Sequence, residues 1–211
     1  MHQLQRGAAP GCLTNYRHGV NRWGEVTSAD KAAIWLELQT MQEQRCAYCE
    51  ADIGHAARHI EHFRQRDRYP QGTFVWDNLF GSCNREDSCG KHKDRCGGYV
   101  PGDLIKPDVE NPEQFFLFVS DGTIAVREGL NARDKHRAEE TLRILNLNPR
   151  SGLRWERKRA IEGHFQTKAA LFEIAAEHGE DVAWVFIQEE LLATAQLPFA
   201  TAIKHLLSPS P

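Results

Sequence analysis

The sequence contains no long hydrophobic run. No apolar stretch approaches the roughly 18 residues that a membrane-spanning helix needs, so a membrane protein is not expected. The stretch from Met1 to Pro10 has no apolar h-region, so no secretory signal is expected and a reducing cytoplasm is the default compartment. An excess of positive charge is also missing. Lys and Arg number 26 against 29 Asp and Glu, a formal net charge of −3. Proteins that hold nucleic acid by bulk electrostatics are usually basic. Any phosphate contact must therefore come from local patches or from a partner. No internal repeat and no low-complexity segment is evident. The 211 residues, 41% hydrophobic and 26% charged, suffice for one full core, or for a small metal domain with a helical companion.

What the chain does have is a dense window. Five of its six cysteines fall between Cys46 and Cys96. In a reducing compartment such cysteines favour metal ligation over disulfides. Cys46 and Cys49 form a CxxC knuckle, whose two sulfurs point to one ion. Cys83 and Cys89 form a looser second pair, with Cys96 as an alternative fourth ligand. Four-coordinate thiolate sites are the usual structural zinc sites. Cys12 lies outside the window and reads as an ordinary small side chain.

Between the cysteine pairs stand His59-Ile60-Glu61-His62-Phe63 and Trp76-Asp77-Asn78-Leu79. Phosphodiester hydrolysis needs a base, a group that neutralises developing charge, and something that holds both. His62 is the candidate base. Glu61 is the candidate ligand for a hard divalent cation, Mg2+ or Mn2+. Asn78 is expected to hydrogen-bond the backbone of the loop that bears His62. Arg64 and Lys93 are candidate phosphate contacts. On a regular strand Glu61 shares a face with His59 and opposes His62, so Glu61 and His62 meet one site only if the strand ends or twists there. Basic residues cluster twice, at Arg58, Arg64, Arg66 and Arg68 around the Glu-His pair and at Arg150, Arg154, Arg157, Lys158 and Arg159, the latter as readily a solvated helix face.

Outside the window, residues 1–27 read as an extended lead-in. Ser28 is the expected N-cap of a helix from Ala29 to about Gln44, with Ile34, Leu38 and Met41 as its core stripe. Phe115 to Val119 and Thr123 to Val126 flank an Asp121-Gly122 turn and predict a hairpin. Helical patterns follow from Ala132, then from Ser151 to His178, then from Asp181 to about Ala195. The expected fold is α+β, mainly α-helical. It divides into a lead-in and helix (1–45), a metal-stapled core (46–98) and a hairpin with C-terminal helices (99–211), which pack with the core or dock a partner.

These residues resemble the HNH endonuclease family, whose ββα-metal core often sits between two CxxC knuckles. The elements that carry the likeness are Cys46-Cys49, Glu61-His62, Asn78-Leu79, Cys83 with Cys89, and Lys93. The segments Gln44 to Glu50, Ile60 to Phe63, Trp76 to Leu79, Ser88-Cys89-Gly90 and Leu145 to Asn148 look similar to the HNH proteins of bacterial anti-phage systems. Those are the Septu-type PtuB proteins and retron-encoded relatives. The resemblance implies a metal-dependent nuclease with structural Zn2+ and catalytic Mg2+ or Mn2+. It implies an ABC- or SMC-like ATPase partner of the PtuA type and a nucleic-acid substrate, DNA ahead of RNA. In the retron form, a reverse transcriptase and its RNA–DNA product would be further partners. One departure stands out. The position after the last zinc cysteine, where common HNH enzymes place a metal-binding histidine, is Gly90. The expected substitute is His92, with His59 and Asp94 as alternatives. Gly90 and the acidic balance also motivate another reading, a zinc-held structural or nucleic-acid-binding module with a decayed nuclease centre.

Overall fold

A computed structural model describes residues 1–54, 57–150 and 152–208. Seven α-helices and two small antiparallel sheets occur among the described residues, and about half of the chain is helical. The fold is thus mixed α+β. Among the described residues, no helix is long and apolar enough to cross a membrane.

The first helix, α1, runs Ser28–Gln42. Its N-cap is Thr27, one residue earlier than expected, because the Thr27 Oγ1 accepts from the Asp30 amide at 3.1 Å. Ile34, Leu38 and Met41 are buried on one face, as the stripe predicts. Left-handed Glu43 and Gln44 then reverse the chain (φ 53° and 61°), delivering Cys46 to the interior. The lead-in is not a plain extended arm. It makes two short 3-10 turns, Gly11–Asn15 and Trp23–Glu25, and buries Met1, Leu4, Leu13 and Val26 in the core.

Strand β1, Arg58–His62, pairs antiparallel with β2, Leu79–Cys83, in the register Glu61↔Phe80 and His62↔Leu79. Helix α2, Cys89–Arg95, follows and packs against β2. The hairpin forms as β3 (Phe116–Phe118) and β4 (Ile124–Val126), joined by the expected turn with Gly122 at φ 86°.

Helix α3 spans Ala132–Leu145. The single long helix expected from Ser151 to His178 is instead two, α4 (Gly152–Glu162) and α5 (Phe165–His178). The break has a packing cause. Leu153 and Ile161 of α4 belong to the main core, whereas Leu171 of α5 joins a separate small cluster with Ile187, Ile203 and Leu207. Helix α6 spans Glu180–Thr194. Helix α7, Ala200–Leu207, was not foreseen; Ala202 and Leu206 face the main core, and Ile203 and Leu207 face the smaller one. The basic patch on α4 is not uniformly solvated. Arg157 is fully buried and donates to the carbonyls of Gly122 (2.6 Å) and Leu147 (3.1 Å), tying the hairpin turn to the end of α3.

Candidate active site

Cys46, Cys49, Cys83 and Cys89 come together. Their sulfurs lie within 4.8 Å of one another, and all four residues are buried. The knuckle closes locally: the Glu50 amide donates to the Cys46 carbonyl at 3.0 Å, with Glu50 left-handed at φ 64°. Strand β2 brings Cys83, and its amide points to the Cys46 sulfur at 3.4 Å. Left-handed Cys89 (φ 55°) opens α2. Burial, reinforced by the three neighbouring sulfurs, pushes the Cys89 thiol well above its ordinary value. Burial also opposes charge on Cys46, but the other three thiols outweigh it and hold that group well below its ordinary value. Four sulfurs crowded around one buried point cannot all carry charge while protons alone balance them. A divalent cation can replace those protons with a single charge, so the donor set fits a metal ion. Cys96 is outside the cluster, its sulfur 3.2 Å from the His92 Nδ1. Cys12 approaches the Asp30 carbonyl at 3.6 Å.

Helix α2 ties this cluster to the strand bearing Glu61. A cleft of about 410 Å³ opens between the end of β1, the loop after it, and α2. His59, Glu61 and His62 line it, together with Arg66, Arg68, Lys91 and Arg95. Glu61 and His62 therefore share one cleft although they alternate along β1, because the strand ends at His62.

His62 is nearly buried. Its ring meets Trp23 edge-on at 4.5 Å between centroids. Its Nε2 lies 3.0 Å from the Thr73 carbonyl oxygen. A carbonyl only accepts, so Nε2 carries the proton and Nδ1 keeps its lone pair. Burial lowers the His62 pKa to about 4; Arg66 and Lys93 add to the shift, while the Thr73 carbonyl and Glu61 oppose it. The imidazole is thus neutral near pH 7, the state a proton acceptor requires.

Asn78 secures the loop between the strands. Its Oδ1 accepts from the Arg64 amide at 2.7 Å, and its Nδ2 donates to the carbonyls of Gly72 (3.0 Å) and Arg64 (3.2 Å). The Phe63 amide donates to the Asn78 carbonyl at 2.9 Å. These bonds fix the exit of β1, and with it the ring of His62. Arg64 itself is exposed, 3.9 Å from Asp77.

Glu61 is 2% exposed. The Lys93 Nζ lies 2.8 Å from its Oε1, and the His59 Nε2 lies 3.2 Å from its Oε2. Lys93 is fully buried, so it faces the carboxylate rather than open solvent, and its Nζ also donates to Asp94 at 2.6 Å. Burial alone would lower the Lys93 pKa. Glu61, Tyr99 and Asp94 outweigh it and hold the ammonium above its ordinary value.

His92 is placed elsewhere. Its Nδ1 sits 2.9 Å from the Ile144 carbonyl, against the end of α3. Helical spacing explains this: Gly90 and Lys93 share the face of α2 toward Glu61, whereas His92 and Cys96 share the face toward α3. A Cβ at Gly90 would come within 2.6 Å of the Glu61 Cδ. The carboxylate therefore packs directly against α2 at Gly90, where any side chain would displace it. Lys93, Trp23, Thr73 and Gly90 are the site elements that sequence reasoning missed or misassigned. Gly90 gave a signal as a departure from a family pattern and Lys93 as a family-like lysine read as a phosphate contact, whereas Trp23 and Thr73 gave none.

The fold and the site together define a class: a β–β–α unit beside a four-cysteine cluster, presenting a carboxylate and a neutral imidazole in a cleft lined by basic residues. No protein-family model matches the chain. It is 29% identical over 137 residues to the "Retron Vc95 putative HNH endonuclease" of Vibrio cholerae serotype O1 biovar El Tor, a match covering 63% of this chain and 65% of that protein. It is 30% identical over 123 residues to Septu protein PtuB of Bacillus thuringiensis, covering 53% of this chain and 44% of the relative. The chain thus spans less than two thirds of the length of either curated relative. The resemblance to HNH proteins of retron and Septu type agrees with the names of these two relatives.

Proposed function

We propose that this protein is a metal-dependent HNH endonuclease that hydrolyses nucleic-acid phosphodiesters, DNA ahead of RNA. It acts as the effector of a bacterial anti-phage system of retron or Septu type, with an ABC- or SMC-like ATPase as partner. A retron setting adds a reverse transcriptase and its RNA–DNA product. The observation that carries the reading is the pairing, at the end of β1, of a neutral His62 whose Nδ1 is bare with a buried Glu61 carboxylate. The names of the two relatives support the nuclease class and the system type.

The four cysteines take structural Zn2+, the ion that all-thiolate sites favour. This staples residues 46–98 as the nuclease core. Glu61 is the anionic ligand for a catalytic Mg2+ or Mn2+. When bound, that ion supplies charge stabilisation at the scissile phosphate and the leaving oxygen. His62 takes a proton from the attacking water at Nδ1, while Thr73 and Trp23 hold the ring. Asn78 holds the loop that carries the ring. Arg66, Arg68, Lys91 and Arg95 at the rim attract the phosphate backbone. With a net charge of −3, the chain has little general affinity for nucleic acid, which suits an enzyme delivered by its partner.

The test is nucleic-acid cleavage by the purified complex with its ATPase. Cutting in Mg2+ or Mn2+, lost in EDTA and restored by either ion, is the expected result. The competing reading, a zinc-held binding module with a decayed centre, is motivated by Gly90. It predicts stoichiometric zinc and no cutting with any ion or partner.

A further inference from the structure

The tautomer of His59 can be read from its neighbours. The Asn84 Nδ2 donates to the Arg58 carbonyl at 3.3 Å, which orients the amide and turns Asn84 Oδ1 toward His59. That oxygen lies 2.9 Å from the His59 Nδ1. An amide oxygen only accepts, so Nδ1 carries the proton. The lone pair of a neutral ring is then on Nε2, which faces the Glu61 Oε2 at 3.2 Å. Two electron-rich atoms at that separation require something positive between or beside them, a proton or a metal ion. Nδ1 bonded to an outer oxygen with Nε2 turned inward is the arrangement metal-binding histidines use.

Three further observations point to the same spot. Among the described residues, the buried Glu61 Oε1 has no hydrogen-bond donor, and the Lys93 charge 2.8 Å away is what compensates it. Only a glycine at position 90 lets the Glu61 carboxylate pack this closely against α2 beside His59. His59 and Glu61 both line the cleft, so an ion can reach them from solvent, while His92 is turned to Ile144 and is absent from that lining.

We propose that His59, through Nε2, is the second protein ligand of the catalytic divalent cation, paired with Glu61 on one face of β1, and that His92 is not a ligand. This rests on reading the cleft as a metal-dependent centre. The ligand pair is i, i+2 on a single strand, and the glycine on the facing helix makes room for it.

The experiment is Mn2+ binding to the zinc-loaded full chain, followed by electron paramagnetic resonance of the free ion. The wild type binds one Mn2+ that Glu61→Gln abolishes. His59→Ala weakens binding at least tenfold, and His92→Ala changes it less than twofold. Because a variant can misfold, the wild type is also read by electron spin-echo modulation, where bound Mn2+ shows a directly coordinated imidazole nitrogen. The His59 assignment is overturned if no nitrogen is coupled, if His59→Ala binds as the wild type does, or if His92→Ala alone loses the site. In all three cases Glu61-dependent binding leaves the metal-dependent reading standing. If the wild type shows no Mn2+ site sensitive to Glu61→Gln, both fall together.

Discussion

Replacing Lys93 with Met is the sharpest perturbation of the buried electrostatics. Lys93 is fully buried and Glu61 is 2% exposed, with 2.8 Å between Nζ and Oε1. Losing the ammonium leaves the carboxylate charged, buried and short of a counter-charge, since Oε1 has no hydrogen-bond donor to fall back on. Breaking a buried pair from one side costs about 3–5 kcal/mol. In a domain of this size each kcal/mol lowers Tm by roughly 2–4 °C, so the expected drop is about 6–20 °C. The double variant Lys93→Met with Glu61→Gln removes both charges and recovers most of the loss. Urea denaturation of the four proteins at saturating zinc completes the cycle. Mn2+ should raise the melting point of Lys93→Met more than that of the wild type, because the ion gives Glu61 a new counter-charge. A loss below about 1 kcal/mol, the size of a solvated surface pair, would refute the reasoning.

Other outcomes follow from the same geometry. Cys49→Ser should lose the tightly bound zinc, measured by mass spectrometry of the native protein, and should lose cooperative unfolding. Gly90→Ala forces the Glu61 carboxylate off its partners; it should cost about 1–3 kcal/mol and weaken Mn2+ binding, while near-ultraviolet dichroism stays native. Glu113 joins Lys204 and His205 of α7 to the turn before β3, at 2.9 Å and 3.2 Å. Burial opposes its charge, but hydrogen bonds from those two groups win and lower its pKa to about 2 from 4.5. A lowered folded pKa means stability present above the unfolded value and lost as pH falls through the folded one. Glu113→Gln should therefore lose about 1 kcal/mol at pH 6, after solvent screening, and the difference from wild type should vanish as pH falls from about 5 to 2.

The scaffold was legible because metal chemistry writes itself into spacing: Cys46, Cys49, Cys83 and Cys89 meet as their pattern requires. The alternation of His59, Glu61 and His62 gave the correct faces of β1, and strand termination at His62 resolved the apparent conflict. What was not legible depended on contacts distant in sequence. Lys93 reads as a phosphate contact until β1 places Glu61 opposite it. His92 is the expected ligand, and its turn toward α3 shows only in the helical phase of α2. The break at Gly163-His164 is invisible to propensity, since one glycine costs a helix only about 1 kcal/mol; two separate apolar clusters decide it. Arg157 looks like one more solvated basic residue, and only the turn at Gly122 shows why it is buried.

The central claim is that His62 is the proton acceptor of a nuclease centre. The direct measurement is cleavage of nucleic acid by the partner complex carrying His62→Ala, with Mn2+ present and zinc content equal to wild type. The account predicts a loss of at least a hundredfold in cleavage rate, with Mn2+ binding retained. Cleavage at the wild-type rate would contradict it.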